Sequence, residues 1–500
     1  MSPIAQEVMS KLDALGVKHQ RLTVDSREVM PGDVFVALPG GRVDGSEFIA
    51  MAHARGAAAV LREASSAHVA ATNIPVIDVD ALSFKLGEIA DAFYGEPSVR
   101  LRVLGITGTN GKTSIANWLA QALTALGEPC GSIGTLGVNL GDQWRATHNT
   151  TPDAASVHTI LRDLAEAGAS AVAMEVSSHA LELHRVTGVR FDAVIFTNLT
   201  QDHLDFHGTM QAYGAAKARL FSEYPARHRI INADDPFGAE LIARRLPNTV
   251  SYGLTAGDVR GHVLAMDVSG MELSISYRGE KQIVRTRLIG RFNACNLLAV
   301  AATLLAAGTS LARVIAALSS LSAAPGRMQR VNAASTLPEP GVYVDYAHTP
   351  DALAKALDTV RETKPATLIV VFGCGGDRDR RKRPIMGSIA AEKADHIYVT
   401  SDNPRSEAPE AIIAEIVAGI GPLRRSAVTE ITLRRQAIRA AIANAARDDA
   451  VLIAGKGHET YQEIHGVRHA FSDVDEALLA LEARRRLAKS PALGEQHVVR

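Results

Sequence analysis

Residues 104–114 read LGITGTNGKTS, an apolar run that leads into Gly-Lys-Thr-Ser. This ending is typical of a phosphate-binding loop, in which glycines follow a strand and a lysine opens a helix. The usual pattern has another glycine five residues before the glycine of Gly-Lys-Thr. Here Ile106 holds that position, and the glycines lie at 105 and 108. The stretch therefore predicts a variant phosphate loop between a buried strand and a helix.

The predicted loop carries groups that bind a nucleotide phosphate and its metal ion. Its glycines and Asn110 allow backbone N–H groups to converge on an anion, and Lys112 adds a positive charge. Thr113 can offer a hydroxyl to Mg²⁺, which needs further oxygen ligands. Glu175 directly follows a buried-strand pattern and is a candidate ligand, although taken alone it is more simply a structural residue.

Length, charge and cysteine content limit the classes of function. With 500 residues the chain is too long for one core, and we expect about two to four domains. The formal net charge of -1 provides no field for nucleic acid or an anionic membrane. The three cysteines lie far apart, which argues against a disulfide scaffold or zinc site and predicts a reducing compartment, the cytoplasm.

Neither a signal peptide nor a membrane span is expected. The N-terminal residues show no apolar core flanked by positive charge. The most apolar stretch, 296–324, is interrupted by Gly308 and Arg313, so it predicts two buried helices.

The spacing of apolar runs predicts an α/β fold of three domains. Residues 1–98 resemble a small N-terminal α/β domain, and GEPSVR at 95–100 resembles a linker. Over 99–332, strand and helix patterns alternate, which predicts a central doubly wound P-loop-type parallel sheet with sites at the carboxyl ends of its strands. A second α/β rhythm over 333–500 predicts a C-terminal Rossmann-like domain.

Further motifs follow one another along the chain and are highly specific as a set. They are TGTNGKTS, NTTPDA (149–154), MEVSSHAL (174–181), NLTQDHLDFHG, YGAAKARLF, NADD (232–235), GRFNACN (290–296), PGRMQRV and VDYAHTPDAL (344–353). In this order they resemble the Mur ligases of peptidoglycan synthesis, over residues 24–462. Within that family they are most similar to the members that add the third amino acid of the peptide.

The resemblance implies an ATP-dependent ligase that adds meso-2,6-diaminopimelate to UDP-N-acetylmuramoyl-L-alanyl-D-glutamate (UDP-MurNAc-L-Ala-D-Glu). ATP would phosphorylate the glutamate side-chain carboxylate, and an amine would displace phosphate from the resulting acyl phosphate. The implied cofactors are ATP, Mg²⁺ and a CO₂-derived carbamate on Lys217. The implied partners are small-molecule substrates, with no nucleic acid and no membrane span, and we expect a monomer in the cytoplasm.

The resemblance also implies roles for individual residues. The expected catalytic residues are Lys112, His203 and Lys217. The expected Mg²⁺ ligands are Thr113, Glu175, His203 and carbamylated Lys217. The expected ATP site comprises Gly108, Thr109, Asn110, Gly111, Lys112, Thr113, Ser114, Asn293, Asn296, Arg327, Asp345 and His348. Without the resemblance, His203 would be interpreted as a helix-capping or core histidine and Lys217 as a surface lysine.

The resemblance implies a binding site for the nucleotide-sugar substrate as well. The expected residues are Ser26, Gly41, Arg42, Val43, Asn149, Thr150, Thr151, Ser177 and Arg185. Leu183 departs from the Gln that family members often carry two residues before the arginine, and it is left out of this set.

The segment SDNPRSE at 401–407 bears on the choice of amino acid. Asp402 and Asn403 can accept from an ammonium group, and Arg405 can form a fork with a carboxylate. DNPR resembles the signature of members that add meso-diaminopimelate. Lysine has no distal carboxylate, so an enzyme that selects lysine would gain nothing from this arginine. Alone, DNPR would be a simple Asp-Asn-Pro turn. The residues expected at the amino acid are Arg378, Asp402, Asn403, Pro404, Arg405, Gly455 and Glu459.

Other interpretations remain open at this point. A lysine-adding ligase, or the later ligase that adds D-Ala-D-Ala, would share most motifs but not DNPR. A folate or cyanophycin ligase would share GTNGKT but not the nucleotide-sugar region at 25–45. A non-catalytic binding protein could keep the fold, but it would have no need of Lys112, Glu175, His203 and Lys217.

Overall fold

A computed structural model describes residues 2–16, 20–40, 43–66, 73–141, 143–331 and 339–489 of the chain. The chain forms two compact units. The first comprises Met1–Gly261, Ile275–Gln282 and Cys295–Leu318, and the second comprises His262–Ser274, Ile283–Ala294 and Ser319–Arg500. Within the described ranges, no helix combines the length and the apolar character needed to cross a bilayer.

The first unit begins with a four-stranded parallel sheet. Its strands lie in the order β1 (Leu22–Thr23), β2 (Val34–Ala37), β3 (Ala59–Glu63) and β4 (Val76–Val79). Three helices belong to this region: α1 (Pro3–Ala14), α2 (Ile49–Ala54) and α3 (Leu82–Phe93). Every residue of β2 is buried, which is why its sequence, VFVA, is apolar without alternation.

A larger sheet includes β5 (Arg102–Thr107), the strand that precedes the predicted phosphate loop. Its parallel strands, in chain order, are β5, β6 (Cys130–Gly134), β9 (Ala171–Glu175), β10 (Phe191–Phe196), β11 (Ala226–Asn232) and β12 (Thr249–Gly253). At one edge β7 (Gly137–Leu140) and β8 (Gln143–Arg145) continue it as antiparallel strands. The helices are α4 (Lys112–Ala125), α5 (Ala154–Glu166), α6 (Ser178–Glu182), α7 (Leu204–His207), α8 (Met210–Ser222) and α9 (Pro236–Ala243).

The strand order of this sheet reverses beside β5. The order is β12-β11-β10-β5-β9-β6, so the chain leaves β5 for β6, returns to β9 on the same side and then crosses to β10. The carboxyl ends of β5, β9 and β10 therefore meet at one edge, where open α/β sheets bind their ligands. The doubly wound parallel sheet that the sequence predicted is confirmed.

Five elements contain residues of both units. They are β13 (Val259–Asp267), β14 (Gly270–Tyr277), β15 (Glu280–Thr286), α10 (Arg291–Ala306) and α11 (Leu311–Ser319). The two helices correspond to the buried pair that was predicted over 296–324. The three strands were not predicted, and in β13 most positions are exposed or half-buried.

The second unit contains a six-stranded sheet. In chain order its strands are β16 (Gln329–Arg330), β17 (Gly341–Asp345), β18 (Leu368–Phe372), β19 (His396–Val399), β20 (Val428–Glu430) and β21 (Ala450–Ala454). Their spatial order is β16-β17-β21-β18-β19-β20, parallel except between β16 and β17. The carboxyl ends of β17, β18, β19 and β21 consequently share one edge of this sheet.

Helices and a hairpin complete the second unit. The helices are α12 (Pro350–Glu362), α13 (Lys382–Lys393), α14 (Pro409–Ala418), α15 (Arg434–Asn444) and α16 (Asp473–Lys489). The antiparallel hairpin consists of β22 (Tyr461–Ile464) and β23 (Val467–Ala470).

The expected linker at 95–100 is a packed turn. Pro97–Val99 forms a short 3₁₀ helix in which Pro97 and Ser98 are buried. The hydroxyl of Ser98 accepts a hydrogen bond from the backbone N–H of Arg190 at 3.2 Å. This connection therefore helps to join the N-terminal and central sheets within the first unit. The proposed domain boundaries at 98/99 and 332/333 stay predictions.

Close packing of α3 also joins these two sheets. A Cβ on Gly87 would lie 2.2 Å from the carbonyl oxygen of Thr187. The same carbonyl oxygen contacts Nε2 of the buried His158 at 2.9 Å. Glycine at position 87 is thus what allows the helix to approach this backbone.

We predict that Gly87→Ala lowers the free energy of unfolding of the first unit by about 1–3 kcal/mol, because the backbone at Thr187 must move. Differential scanning calorimetry would detect this as a lower Tm. The control is Gly421→Ala, since a Cβ on Gly421 would meet nothing within 4 Å. Equal Tm values for the two variants would contradict the prediction.

Candidate functional site

The loop after β5 is held by its own lysine and by close packing. Lys112, the first residue of α4, donates from Nζ to the carbonyl oxygens of Gly108 and Thr109, both at 2.8 Å. Gly108 has φ +144, and a Cβ on it would lie 1.8 Å from Thr197 Oγ1. Glycine is therefore required here, although it is displaced from its usual place in such loops.

The segment directly after β10 holds the loop from another side. Thr197 Oγ1 donates to the carbonyl oxygen of Asn110 at 2.7 Å, and Asn198 Oδ1 accepts from the N–H of Asn110 at 3.0 Å. The hydroxyl of Thr109 donates to Thr200 O at 3.1 Å and accepts from Thr200 N at 3.0 Å. Sequence reasoning did not assign Thr197, Asn198 or Thr200. Their place in NLTQDH, after a buried strand, was the available signal.

Lys217, on α8, is buried against the same loop. Its side chain donates from Nζ to Gly108 O at 2.9 Å, and Nζ lies 4.4 Å from the centre of the Tyr213 ring. Burial lowers the pKa of the Lys217 ammonium well below its ordinary value of 10.5, and the charge of Lys112 lowers it further, while Asp202 acts in the opposite direction. The interpretation as a surface lysine is wrong, and the site favours a neutral amine.

Thr113 and Glu175 line one small cleft, together with Gly134. Glu175, the last residue of β9, is buried, and its carboxylate accepts from Thr135 N at 2.8 Å and from Thr135 Oγ1 at 3.3 Å. A Cβ on Gly134 would lie 2.2 Å from Glu175 Oε1, so the carboxylate depends on a glycine beside it. A hydroxyl and a carboxylate are oxygen ligands that suit Mg²⁺.

The ring of Tyr213 lies near both Lys217 and His203. The backbone of His203 has φ +52, and its half-exposed ring has Nε2 3.4 Å from Asp202 Oδ2. The ring centres of His203 and Tyr213 are 6.1 Å apart, and those of His203 and His179 are 4.8 Å apart. Across the described ranges, no three His, Cys, Asp or Glu side chains form a metal-binding group by themselves. A metal here would need the threonine hydroxyl or a modified lysine as well.

Several residues expected at the nucleotide-sugar substrate converge next to Glu175. Thr151 Oγ1 donates to Glu175 O at 2.8 Å and accepts from Ser177 N at 3.1 Å. Arg185 donates from Nη1 to Thr151 O at 2.9 Å, and burial lowers the pKa of its guanidinium. Among the described residues, no carboxylate forms a hydrogen bond with Arg185, so this arginine near the carboxyl end of β9 can attract an anionic ligand.

Neighbouring positions continue this polar region. Thr150 Oγ1 lies 3.2 Å from the hydroxyl of Thr135. Asn149 is exposed, and its carbonyl oxygen accepts from Thr147 Oγ1 at 3.1 Å. Leu183, where family members often have Gln, is exposed and adds no polar group.

The remaining expected substrate residues belong to the N-terminal sheet region. Ser26 is buried on the segment after β1, and its hydroxyl contacts Met51 Sδ at 3.5 Å. Val43 is exposed. Gly41 and Arg42 lie outside the described residues. The structure does not join Ser26 or Val43 to the cluster around Thr151.

The residues expected to bind ATP are distributed over both units. In the first unit, Asn296 lies against the phosphate loop, since a Cβ on Gly111 would be 2.5 Å from Asn296 Oδ1. Ser114 is buried in the first turn of α4. Asn293 belongs to the second unit, where its Nδ2 donates to Ile289 O at 2.8 Å.

In the second unit, three of the expected ATP residues lie at the carboxyl end of β17. The carboxylate of Asp345 accepts from two backbone N–H groups, at 2.7 and 2.9 Å. Burial raises the pKa of the Asp345 carboxyl, and the charge of Arg327 opposes this. The guanidinium of Arg327 lies over the ring of Tyr346 at 5.1 Å, and His348 Nδ1 contacts Tyr346 O at 2.8 Å.

Asn403 lies at the carboxyl end of β19, and protein groups occupy nearly all the hydrogen-bonding positions of its amide. Its Oδ1 accepts from Lys456 Nζ at 3.0 Å and from Glu463 N at 2.9 Å, and its Nδ2 donates to Glu459 Oε2 at 2.9 Å. An amide oxygen has two acceptor positions. The expected role of Asn403 as an acceptor for an ammonium is therefore corrected, because only an Nδ2–H is left for a ligand.

Arg405 is held beside this amide. Its backbone has φ +52, Nη1 donates to Gly376 O at 2.7 Å, and Nε lies 3.5 Å from Glu463 Oε2. A Cβ on Gly375 would lie 3.0 Å from Arg405 Nη1 and 3.8 Å from Arg378 Cγ. The two expected arginines thus share one glycine-lined space.

The other expected members of the amino-acid site close around these groups. Gly455 has φ +122, and a Cβ on it would lie 2.5 Å from Asp402 Oδ2. The carbonyl oxygen of Pro404 lies 1.9 Å from where a Cβ on Gly376 would be. Acidic oxygens of Asp402 and Glu459 and basic nitrogens of Arg405 therefore gather in one unit, which suits a ligand with an ammonium and a carboxylate.

The basic run at 377–383 has a structural role. Arg383 is fully buried and donates to Glu407 at 2.7 Å and to Glu415 at 2.8 Å. The hydrogen bond from Arg383 lowers the pKa of Glu407 to about 2. Arg380 also pairs with Glu415. These carboxylates balance much of the positive charge of the run.

Comparison with known families agrees with the three-domain α/β architecture. Residues 19–94 match the family described as "Mur ligase family, catalytic domain", residues 106–304 match "Mur ligase middle domain", and residues 326–457 match "Mur ligase, glutamate ligase domain". The predicted fold class is confirmed.

Individual proteins are similar over nearly the whole chain. The UDP-N-acetylmuramoyl-L-alanyl-D-glutamate--2,6-diaminopimelate ligase of Pseudomonas aeruginosa is 48% identical over 470 residues, covering 93% of this chain and 95% of that protein. A solved structure of a ligase with the same name has a TM-score of 0.70 at 36% identity, covering 93% of this chain and 95% of its own. The Thermotoga maritima MurF ligase in complex with ADP has a TM-score of 0.62 at 18% identity, covering 98% and 100%, a likeness of fold alone.

The buried Lys217 predicts a stability that depends on pH. Between its lowered folded-state pKa and the ordinary value of 10.5, the unfolded chain binds more protons at this residue than the folded chain does. The free energy of unfolding contributed by Lys217 therefore rises with pH across this window. In CO₂-free buffer, urea unfolding at a series of pH values should show this rise for the wild type relative to Lys217→Met. A difference that does not change with pH would contradict the prediction.

Proposed function

The chain belongs to the Mur ligase family of ATP-dependent ligases, and we propose that it joins meso-2,6-diaminopimelate to UDP-MurNAc-L-Ala-D-Glu in peptidoglycan synthesis. The choice of amino acid rests on one observation: Arg405, Asp402 and Glu459 lie at one edge of the second sheet. Arginine suits the distal carboxylate of diaminopimelate, and the two acids suit its distal ammonium. Relatives of high identity are named for the same reaction.

The proposed reaction has two steps. The side-chain carboxylate of the glutamate attacks the γ-phosphorus of ATP, forming an acyl phosphate and ADP. The amine of diaminopimelate then attacks the acyl carbon, and the tetrahedral intermediate expels phosphate as the amide forms. Both steps bring anions together, so positioning and charge neutralisation are what the protein supplies.

In this proposal, the phosphate loop binds ATP through its backbone. Its N–H groups and the positive end of α4 face the phosphates, and Lys112 supplies a fixed positive charge. Asn296 lies against the loop and is proposed to contact ATP. The expected roles of Asn293, Arg327, Asp345 and His348, which belong to the second unit, stay predictions.

Mg²⁺ and a carbamate on Lys217 fit the residues that are present. Thr113 and Glu175 face one cleft with oxygen atoms, and burial lowers the pKa of Lys217, which favours the neutral amine that reacts with CO₂. We propose that Thr113, Glu175, His203 and carbamylated Lys217 hold Mg²⁺, which when bound supplies positive charge to phosphate oxygens. Carbamylation would give Lys217 an oxygen ligand in place of an amine.

The nucleotide-sugar peptide is proposed to bind in the first unit. Asn149, Thr150, Thr151 and Ser177 offer amide and hydroxyl groups beside Glu175, and Arg185 offers a cation to the peptide's carboxylate. Ser26 and the loop 41–43 are proposed to contact the UDP group. In the part of the chain that the structure describes, Cys130, Cys295 and Cys374 form no disulfide bond, which supports the proposed cytoplasmic location. The monomeric state stays a prediction.

An ADP-release assay tests the proposed function. With UDP-MurNAc-L-Ala-D-Glu and ATP, addition of meso-diaminopimelate should start ADP release, and addition of L-lysine should start far less. Mass spectrometry of the product should show the added diaminopimelate. Release with L-lysine alone, or with neither amino acid, would refute the proposal.

We predict that Arg405→Ala weakens the use of diaminopimelate by about 2–4 kcal/mol, because a charge-assisted fork to its carboxylate is lost. The KM for ATP should hardly change. The control is Arg381→Ala, which removes an arginine that is 91% exposed and paired with its neighbour Asp379. An unchanged KM for diaminopimelate in Arg405→Ala would remove this residue from the site.

Carbamylation of Lys217 can be tested directly. Protein equilibrated with ¹³C-bicarbonate should show a carbamate signal in its ¹³C NMR spectrum, and Lys217→Met should lack that signal and be inactive. If the variant kept the signal, the modified residue would lie elsewhere. If the wild type showed no signal, or if Lys217→Met kept normal activity, the carbamate role would be wrong.

A further inference from the structure

Lys456 is a fully buried lysine that the proposed reaction does not yet use. It directly follows Gly455 after β21, and it stands before Gly457, which has φ +54. Its Nζ donates to Asn403 Oδ1 at 3.0 Å and to Glu459 Oε2 at 2.8 Å. Its side chain is 0% exposed, so it cannot act as a solvated surface charge.

Lys456 determines which way the amide of Asn403 points. Two donors, Lys456 Nζ and the N–H of Glu463, meet the same end of this amide, and only its oxygen can accept from both. With the amide reversed, an NH₂ group would face an ammonium and a backbone N–H. The observed orientation therefore directs Nδ2 to Glu459 and leaves its second N–H for a ligand.

Lys456 also sets the orientation of the Glu459 carboxylate. Glu459 Oε2 receives hydrogen bonds from Lys456 at 2.8 Å and from Asn403 at 2.9 Å. The other oxygen, Oε1, is then the acceptor that can meet an ammonium. Without the Lys456 ammonium, Glu459 Oε2 would lose one of these two donors, and the carboxylate would be held less firmly.

We propose that Lys456 is a positioning residue of the amino-acid site: it holds Asn403 as a hydrogen-bond donor and Glu459 as an acceptor for the two charged groups of the bound amino acid. This inference rests on the proposed function, since it concerns the same ligand. Lys456 does not touch the amino acid and acts through its two partners.

The test is the change in KM of Lys456→Met in the ADP-release assay. We expect the KM for meso-diaminopimelate to rise by about tenfold or more, the effect of losing hydrogen bonds to a charged group. The KM for ATP and for UDP-MurNAc-L-Ala-D-Glu should stay within about twofold. The matched control is Lys393→Met, which removes another lysine–carboxylate pair of the same unit, with Nζ 2.7 Å from Asp358 Oδ1.

A double-mutant cycle separates positioning from a general structural role. If Lys456 acts partly through Asn403, Lys456→Met should raise the KM for diaminopimelate much less in an Asn403→Ala background than in the wild type. Fully additive effects, or equal rises in the KM for ATP and for diaminopimelate, would overturn the proposal.

A second variant covers the case in which Lys456→Met does not fold, and the activity of the wild type separates this inference from the proposed function. If Lys456→Met does not fold, Lys456→Gln keeps an N–H donor in place of the charge, and it should still raise the KM for diaminopimelate selectively; an unselective or absent rise would overturn the proposal. A wild type without diaminopimelate-dependent ADP release would refute the proposed function itself. An active wild type with unchanged KM values in Lys456→Met would refute only this inference.

Discussion

The carbonyl oxygen of Gly108 is the contact on which the nucleotide site depends. Lys112 and Lys217 both donate to it, at 2.8 and 2.9 Å. Lys217 is buried, and its burial and the nearby charge of Lys112 both lower the pKa of its ammonium. The oxygen keeps its place because Thr197 Oγ1 fills the space that a side chain on residue 108 would need. The path of the loop backbone therefore affects the protonation of Lys217, which lies 109 residues away along the chain.

Both units place their polar groups by the same rule. In each parallel sheet the strand order reverses, and the carboxyl ends of neighbouring strands then meet at one edge. In the first sheet this collects Gly108 after β5, Glu175 at the end of β9 and Thr197 after β10. In the second it collects Asp345, Asp402 and Gly455 in the same way. Residues that are distant in sequence become neighbours because the strands that precede them are buried and parallel.

This rule explains how much the sequence could predict. Buried strands followed by Gly, Asp or Glu were visible as apolar runs with polar ends, so the parallel sheets and the loop between β5 and α4 were predicted correctly. That this loop binds phosphate stays a prediction. Side-chain partners were not visible, because hydrogen bonds such as Thr197 to Asn110 join segments that only the fold brings together. Lys217 stood out only through family resemblance, since burial of a lysine leaves no local pattern. The strands β13 to β15 were missed, and β13 and β15 have many exposed positions.

The amino-acid site shows why residue type alone does not determine a role. The Asn403 amide carries both a donor and an acceptor, and it was expected to accept from an ammonium. A buried lysine and a backbone N–H then occupy the oxygen, and the donor is what remains. The charges follow the same logic: Glu459 is balanced by Lys456 and Glu463 lies near Arg405. A ligand that brings one ammonium and one carboxylate adds no net charge to this enclosed set, whereas a ligand with the ammonium alone would add a positive charge and offer no carboxylate to Arg405.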